Sequence, residues 1–145
     1  MVGTDPDHWA LDYTLHGDAA CTAKVVNVAI HGEYQVVEPS QIESTWNARF
    51  GFDDKTITPF VQPVADALGA ASCGSGPWQV GVAQSVYDKG CAAFGQYPKA
   101  QCEADYDLLS VEGKTLHFGN RPANNDMCTA DKRPTQLSTV SLVQD

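Results

Sequence analysis

Apolar side chains recur at every second position along much of this chain. From His8 to His16, Trp9, Leu11, Tyr13 and Leu15 alternate with His8, Ala10, Asp12, Thr14 and His16, which predicts a half-buried strand. Gly17-Asp18 turns the chain. A longer run then keeps one register: Val26, Val28, Ile30, Gly32, Tyr34 and Val36 fall on even positions, and Asn27, His31, Glu33 and Gln35 on odd ones. At roughly sixteen residues this run exceeds an ordinary strand, and Gly32 marks the place for it to bend. Glu38-Pro39-Ser40 ends it. Trp46, Ala48, Phe50 and Phe52 predict a third strand, with Asp53-Asp54-Lys55 as the next turn. Pro59 to Leu68 is the one predicted helix, with Pro63 near its start and Gly69 as its stop.

From Cys73 to Cys91 a glycine-rich turn (Gly74 to Pro77) leads into a predicted strand with Trp78, Val80 and Val82 on one face. The strand breaks at Asp88-Lys89-Gly90. A cystine between Cys73 and Cys91 would fix the strand and its return, and a loop of that length is worth about 3 kcal/mol by chain entropy. Strands return at Tyr106 to Leu108, then at Leu116 to Phe118 beyond a Glu112-Gly113 turn, and finally over about Gln136 to Val143. Gly119 to Asp131 is a polar surface loop. Cys102 and Cys128 bracket the hairpin and are the preferred second cystine, leaving Cys21 over. Five cysteines with one unpaired still allow about 15 arrangements.

Seven or eight strands with one short helix predict an all-β, cystine-braced domain over residues 1–145. The long bent strand favours a curled antiparallel sheet of barrel-like, lipocalin-like form over a flat sandwich. Residues 1–7 are polar, as a frayed end is.

Composition narrows the function. The net charge of −9 argues against nucleic acid or an anionic membrane as partner. No apolar run approaches the ~18 residues of a transmembrane segment. Zinc and redox cysteine spacings are absent, so cystines in an oxidising compartment are the simpler account. The opening residues read as no secretory signal, so an exported protein would take its targeting segment from outside this sequence. Neither a metal nor a cofactor is expected.

Several pieces together resemble one family. They are Ser72-Cys73-Gly74 with Trp78 and Gly81, Gly90-Cys91 with Gly95, Tyr106-Asp107-Leu108, Phe118-Gly119-Asn120-Arg121-Pro122, and Lys132-Arg133-Pro134-Thr135. Upstream, Asp18-Ala19-Ala20-Cys21 and His31-Gly32-Glu33-Tyr34 also fit. The chain resembles the domain of the adenomatosis polyposis coli down-regulated proteins, membrane-anchored Wnt antagonists of animals. The resemblance covers most of the chain at low identity outside these motifs. It implies a barrel-like domain with an apolar cavity, linked in the animal proteins to holding lipid, including the acyl chain of Wnt ligands. The family domain opens with a strand carrying Trp and a Cys-Glu pair, and this chain reads as beginning after it. Cys21 would then lack its partner, and an open strand slot would favour a homodimer. The animal proteins carry two such domains and an anchor, so Wnt binding is not inherited by default.

Candidate site residues follow. Trp9, Tyr13, Val28, Tyr34, Trp46, Phe50, Trp78 and Phe118 point inward, and are either ordinary core or the wall of a ligand cavity. Arg121 and Arg133, each before a proline, either recognise a carboxylate or head group or tie their loops to backbone carbonyls and nearby aspartates; the second is preferred. His8, His16, His31 and His117 fall on outward faces. His8 and His16 stand ~27 Å apart on an extended strand, too far for one metal. A His31–His117 pair is a metal candidate only if their strands are neighbours, and solvated histidines, with Asp5, Asp7 and Asp12 near His8, are the preferred reading. Asp105 and Asp107 are expected to point outward. No G-x-S-x-G elbow and no placeable triad appears, and Asp18 and Thr22 would activate Cys21 poorly. The reading is a non-enzymatic, secreted or periplasmic module that binds a lipid or other apolar small molecule. A filled interaction domain that binds protein by its surface or open edge is the alternative.

Overall fold

A computed structural model describes residues 7–144. The polar opening over residues 1–6, Asp5 included, lies outside the described residues. The fold is mostly β with one short helix. Its eight strands are β1 (Asp7–His16), β2 (Lys24–Pro39), β3 (Trp46–Gly51), β4 (Asp54–Pro59), β5 (Gln84–Ser85), β6 (Ala104–Glu112), β7 (Thr115–Gly119) and β8 (Leu137–Val143). The helix α1 is Gln62–Ala70. The strands join in the order β5-β4-β2-β3-β6-β7-β8, with β1 also paired to β2. The end strands do not meet, so the antiparallel sheet is not a closed barrel.

By contacts the chain forms two compact units. One comprises residues 10–32 and 52–101, and the other 7–9, 33–51 and 102–144 among those described. β2 contributes to both, and the division falls after Gly32.

The first, helical unit is built on an apolar face. Val26, Val28 and Ile30 on β2 pair across to Pro59, Ile57 and Lys55 on β4, and all six are buried. Ala65 and Leu68, three apart and so on one helix face, bury 98–100% of their surface with exposures of 2% and 0%. Pro63 occupies the first turn of α1, where its missing N–H costs nothing. The helix starts after Pro59, which belongs to β4, and Gly69 lies within it rather than ending it.

Three further expectations change here. Asp53-Asp54-Lys55 does not turn the chain: the Asp53 amide donates to His31 O at 2.8 Å and β4 continues along β2. Lys55 is only 3% exposed. Its Nζ sits 3.8 Å from the centre of the Phe52 ring and 5.7 Å from that of Tyr87, a cation–π arrangement that lets a strand bury an ammonium. The strand expected behind Trp78 is absent. Gly81 takes φ 80° and its amide donates to Pro59 O at 2.7 Å, leaving Val80 and Val82 exposed and only β5 extended. On β1, Leu11, Tyr13 and Leu15 are 43%, 36% and 52% exposed, so its apolar face is open rather than half-buried.

Both preferred cystines form: Cys73–Cys91 in the helical unit and Cys102–Cys128 in the other. Cys21 is exposed and free, in a turn closed by the Asp18 carboxylate, which accepts from the Thr22 and Ala23 amides. Those hydrogen bonds, with the Thr22 hydroxyl foremost, hold the Asp18 carboxyl below its ordinary range. The glycine-rich turn after Cys73 is held similarly: Gln84 Oε1 accepts from Ser75 and Gly76 amides at 2.8 and 3.2 Å. Gly74, at φ 70°, lies so close to Gln84 Oε1 that a Cβ would collide with it.

Candidate apolar ligand site

The second unit carries the candidate site on one face of its sheet. Strand register builds that face row by row, since directly opposed residues project the same way. Tyr34 on β2 opposes Phe50 on β3, and Phe50 opposes Asp105 on β6. Val36, Ala48 and Asp107 form the next row. Trp46, Leu109 and Phe118 form the third. Val111, Leu116 and Leu142 form the last, beside the hairpin tip.

Aromatic rings gather at one end. Phe50 is the hub, with Trp9 at 5.4 Å edge-on, Tyr34 at 5.9 Å stacked and Phe118 at 5.7 Å edge-on. All four are partly exposed. Edge-to-face and offset contacts of this kind add about 0.5–1.5 kcal/mol each beyond area burial. The polar atoms of the rings have partners: Trp9 Nε1 donates to Gly51 O at 2.8 Å. The Tyr34 hydroxyl donates to Asp7 Oδ2 at 3.4 Å. Partial burial, and then the Asp7 carboxylate, push the Tyr34 phenol above its ordinary value.

At the other end the β6–β7 hairpin and β8 form an open groove of about 350 Å³, lined by Val111, Leu116, Leu142 and Val143 with Lys114 at the turn. The two-residue loop Gly113-Lys114 makes the turn, with Gly113 at φ 60°. Between groove and rings Trp46 remains 40% exposed, and in the groove itself Leu142 is 54% exposed. The face is apolar and partly exposed at both ends, with the buried Asp105 and Asp107 set in the rows between.

The loop between β7 and β8 is tied down by the two arginines. Arg121 pairs with Asp105 Oδ2 at 2.9 Å and donates to Asn125 Oδ1 at 2.6 Å. Arg133 donates to the carbonyls of Asp107 and Ala48 at 3.1 and 3.4 Å and lies over the Tyr106 ring. The preferred loop-tying role of both arginines is what the structure has. Asp105 and Asp107, expected outside, are 9% and 3% exposed. Asp107 Oδ1 accepts from the Leu108 and Gly119 amides at 2.7 and 2.9 Å, and burial outweighs these bonds to push its carboxyl up. A carboxylate flanking Tyr106 reads as outward because the Arg121 that accompanies Asp105 lies far along the chain.

Of the eight predicted wall residues, Trp9, Tyr34, Phe50 and Phe118 come together as rings, and Trp46 shares their face. Val28 and Trp78 are in the core of the helical unit at 0% and 8% exposure, with Trp78 Nε1 donating to Cys73 O at 2.8 Å. Tyr13 is also in the helical unit, on β1. The groove residues Val111, Leu116, Leu142 and Lys114 escape sequence reading, although a tight turn at Gly113 already sets Val111 opposite Leu116. His31 and His117 lie on β2 and β7, which are not neighbours, and no cluster suited to a metal ion occurs among the described residues. No described helix is long and apolar enough to cross a membrane.

Compared with protein-family models and with curated proteins, the chain matches none.

Proposed function

We propose that this protein is a non-enzymatic binding module that holds a lipid or similar apolar small molecule against the aromatic face. One observation carries the reading: four ring-bearing side chains and a 350 Å³ groove lie along one sheet face whose apolar ends its own unit leaves partly exposed. Ligand sites are mostly apolar concavities with few polar groups, and a large exposed apolar patch marks an interaction site. The curled, lipocalin-like cavity read from the sequence enters here in open form, with the sheet as one wall. The resemblance to the Wnt-antagonist domain family supports lipid as the ligand class. Two cystines fit an oxidising compartment, in keeping with a secreted or periplasmic protein.

The test is a titration with a panel of fluorescent lipids, comparing wild type with Phe118→Glu and Trp46→Glu. Saturable binding that both variants weaken at least tenfold supports the site. Absence of binding across the panel, or binding indifferent to both variants, removes it.

A second reading has its own observation. Leu11, Tyr13 and Leu15 form an exposed apolar stripe on β1, a strand with one sheet neighbour among the described residues. Such an edge templates pairing with another chain, and a homodimer or a protein partner would use it. Sedimentation of wild type and Leu11→Lys/Leu15→Lys tests this: a dimer that the substitutions dissociate supports it, and a wild-type monomer at high concentration rejects it.

A further inference from the structure

We propose that the hairpin groove binds the acid end of a single-chain fatty carboxylate, with Lys114 pairing its head group. The inference rests on the apolar-ligand reading and adds the ligand's charge, chain number and orientation.

Charge carries the first step. Acids outnumber bases 18 to 9 in this chain, yet among the described residues the groove's lining holds one charged residue, and it is a cation. Among the described residues, Val111, Gly113, Lys114, Thr115, Leu116, Leu142, Val143 and Gln144 line it, with no carboxylate. Among the described residues, Glu112 is the nearest acid in sequence; it opposes Thr115 across the hairpin and is not in the lining. Four aliphatic side chains beside one ammonium complement an amphiphile with an anionic end. A cationic amphiphile would meet Lys114 with like charge.

Geometry carries the second. Lys114 sits at the turn, with its backbone carbonyl fixed by the Gln144 amide at 3.0 Å. From that point two apolar rows run inward along the strands: Val111–Leu116–Leu142, then Trp46–Leu109–Phe118, before the row that holds Asp107. A head group at Lys114 leaves its chain an apolar track as far as Phe118, whose ring meets Phe50 at 5.7 Å. The groove's volume of about 350 Å³ lies at the lower end for ligand pockets, which suits one chain rather than the two of a phospholipid. A carboxylate is preferred over a phosphate because Lys114 is the groove's single cation among the described residues, and a dianionic head calls for more donors.

The experiment is isothermal calorimetry with laurate, methyl laurate and dodecyltrimethylammonium, each below its micelle concentration. Proteins are wild type, Lys114→Gln, Lys114→Glu and Leu142→Asp. Laurate is expected to bind three- to fivefold tighter than its methyl ester, the size of an exposed ion pair, and the margin shrinks as salt rises. Lys114→Gln removes the margin, and Lys114→Glu turns it in favour of the ammonium amphiphile. Leu142→Asp, at a position 54% exposed, weakens binding of laurate and methyl laurate. Equal affinity of laurate and methyl laurate for wild type, or a margin unchanged by Lys114→Glu, overturns the proposal while the apolar-ligand reading stands. Failure of all three amphiphiles to bind wild type overturns both.

Discussion

The two units use the same strand pattern to opposite ends. In the helical unit, Val26, Val28 and Ile30 are 2%, 0% and 8% exposed, facing a core shared with Ile57, Leu68 and Val86. In the other unit, the continuation of the same even register, Tyr34 and Val36, is only half-buried, and Trp46 and Leu142 on its face are 40% and 54% exposed. The helical unit has α1 and a cystine-bound excursion within it; the aromatic unit has strands, a cystine-tied polar loop and a single 3-10 turn at Ala130–Lys132, but no α-helix among the described residues. Alternation therefore says which face is apolar. Whether that face becomes core or site depends on what the chain has left over to cover it.

Substitutions can break this contrast. The largest effect is expected in the helical core. Leu68→Ala leaves a cavity at a fully buried position and should lose about 2–5 kcal/mol by denaturant titration, with ligand binding by the folded fraction unchanged. A loss under 1 kcal/mol would mean that this core is loosely packed.

Next is the loop anchor of the aromatic unit. A Cβ at Gly119 would stand 2.5 Å from Asp107 Oδ1 and 2.7 Å from Pro134, so Gly119→Ala should cost about 1–3 kcal/mol. Arg121→Ala, at an ion pair with one exposed partner, should cost less than Gly119→Ala.

Asp107 gives a pH signature. Its folded carboxyl titrates above the ordinary 3.8, chiefly through burial, so the folded state holds the proton more tightly than the unfolded chain does. Lowering pH from neutral through the raised value towards 3.8 should therefore stabilise wild type relative to Asp107→Asn. The difference should be level above and below that window. A difference of opposite slope would mean that the two amide hydrogen bonds outweigh burial.

The smallest effect is expected at Trp46. Its side chain is large but 40% exposed, so Trp46→Ala should move stability by roughly 1 kcal/mol or less while weakening ligand binding several-fold. A stability loss comparable with that of Leu68→Ala would place Trp46 in core.

The sequence makes much of this legible where local signals agree. β2 and β3 follow from strict alternation, the β6–β7 hairpin from Gly113, and the cystines from cysteines standing beside turns. The arginine roles follow from their loop positions. What escapes reading depends on contacts distant in sequence. β4 hides behind two aspartates and a lysine, because nothing local tells that Phe52 and Tyr87 will flank the Lys55 ammonium. Trp78 to Val82 alternates like a strand, but Gly81 adopts a left-handed turn. Asp105 and Asp107 look solvated until Arg121 and the Gly119 amide are brought beside them.

The central claim is that the aromatic unit's open face is a site rather than an uncovered core. Native mass spectrometry of the protein as purified, followed by organic extraction, tests it most directly. The account predicts an apolar species bound at near one-to-one, released by solvent and absent from the Phe118→Glu/Leu142→Asp variant. A wild-type mass equal to the bare chain, together with no uptake of added lipid, would contradict it.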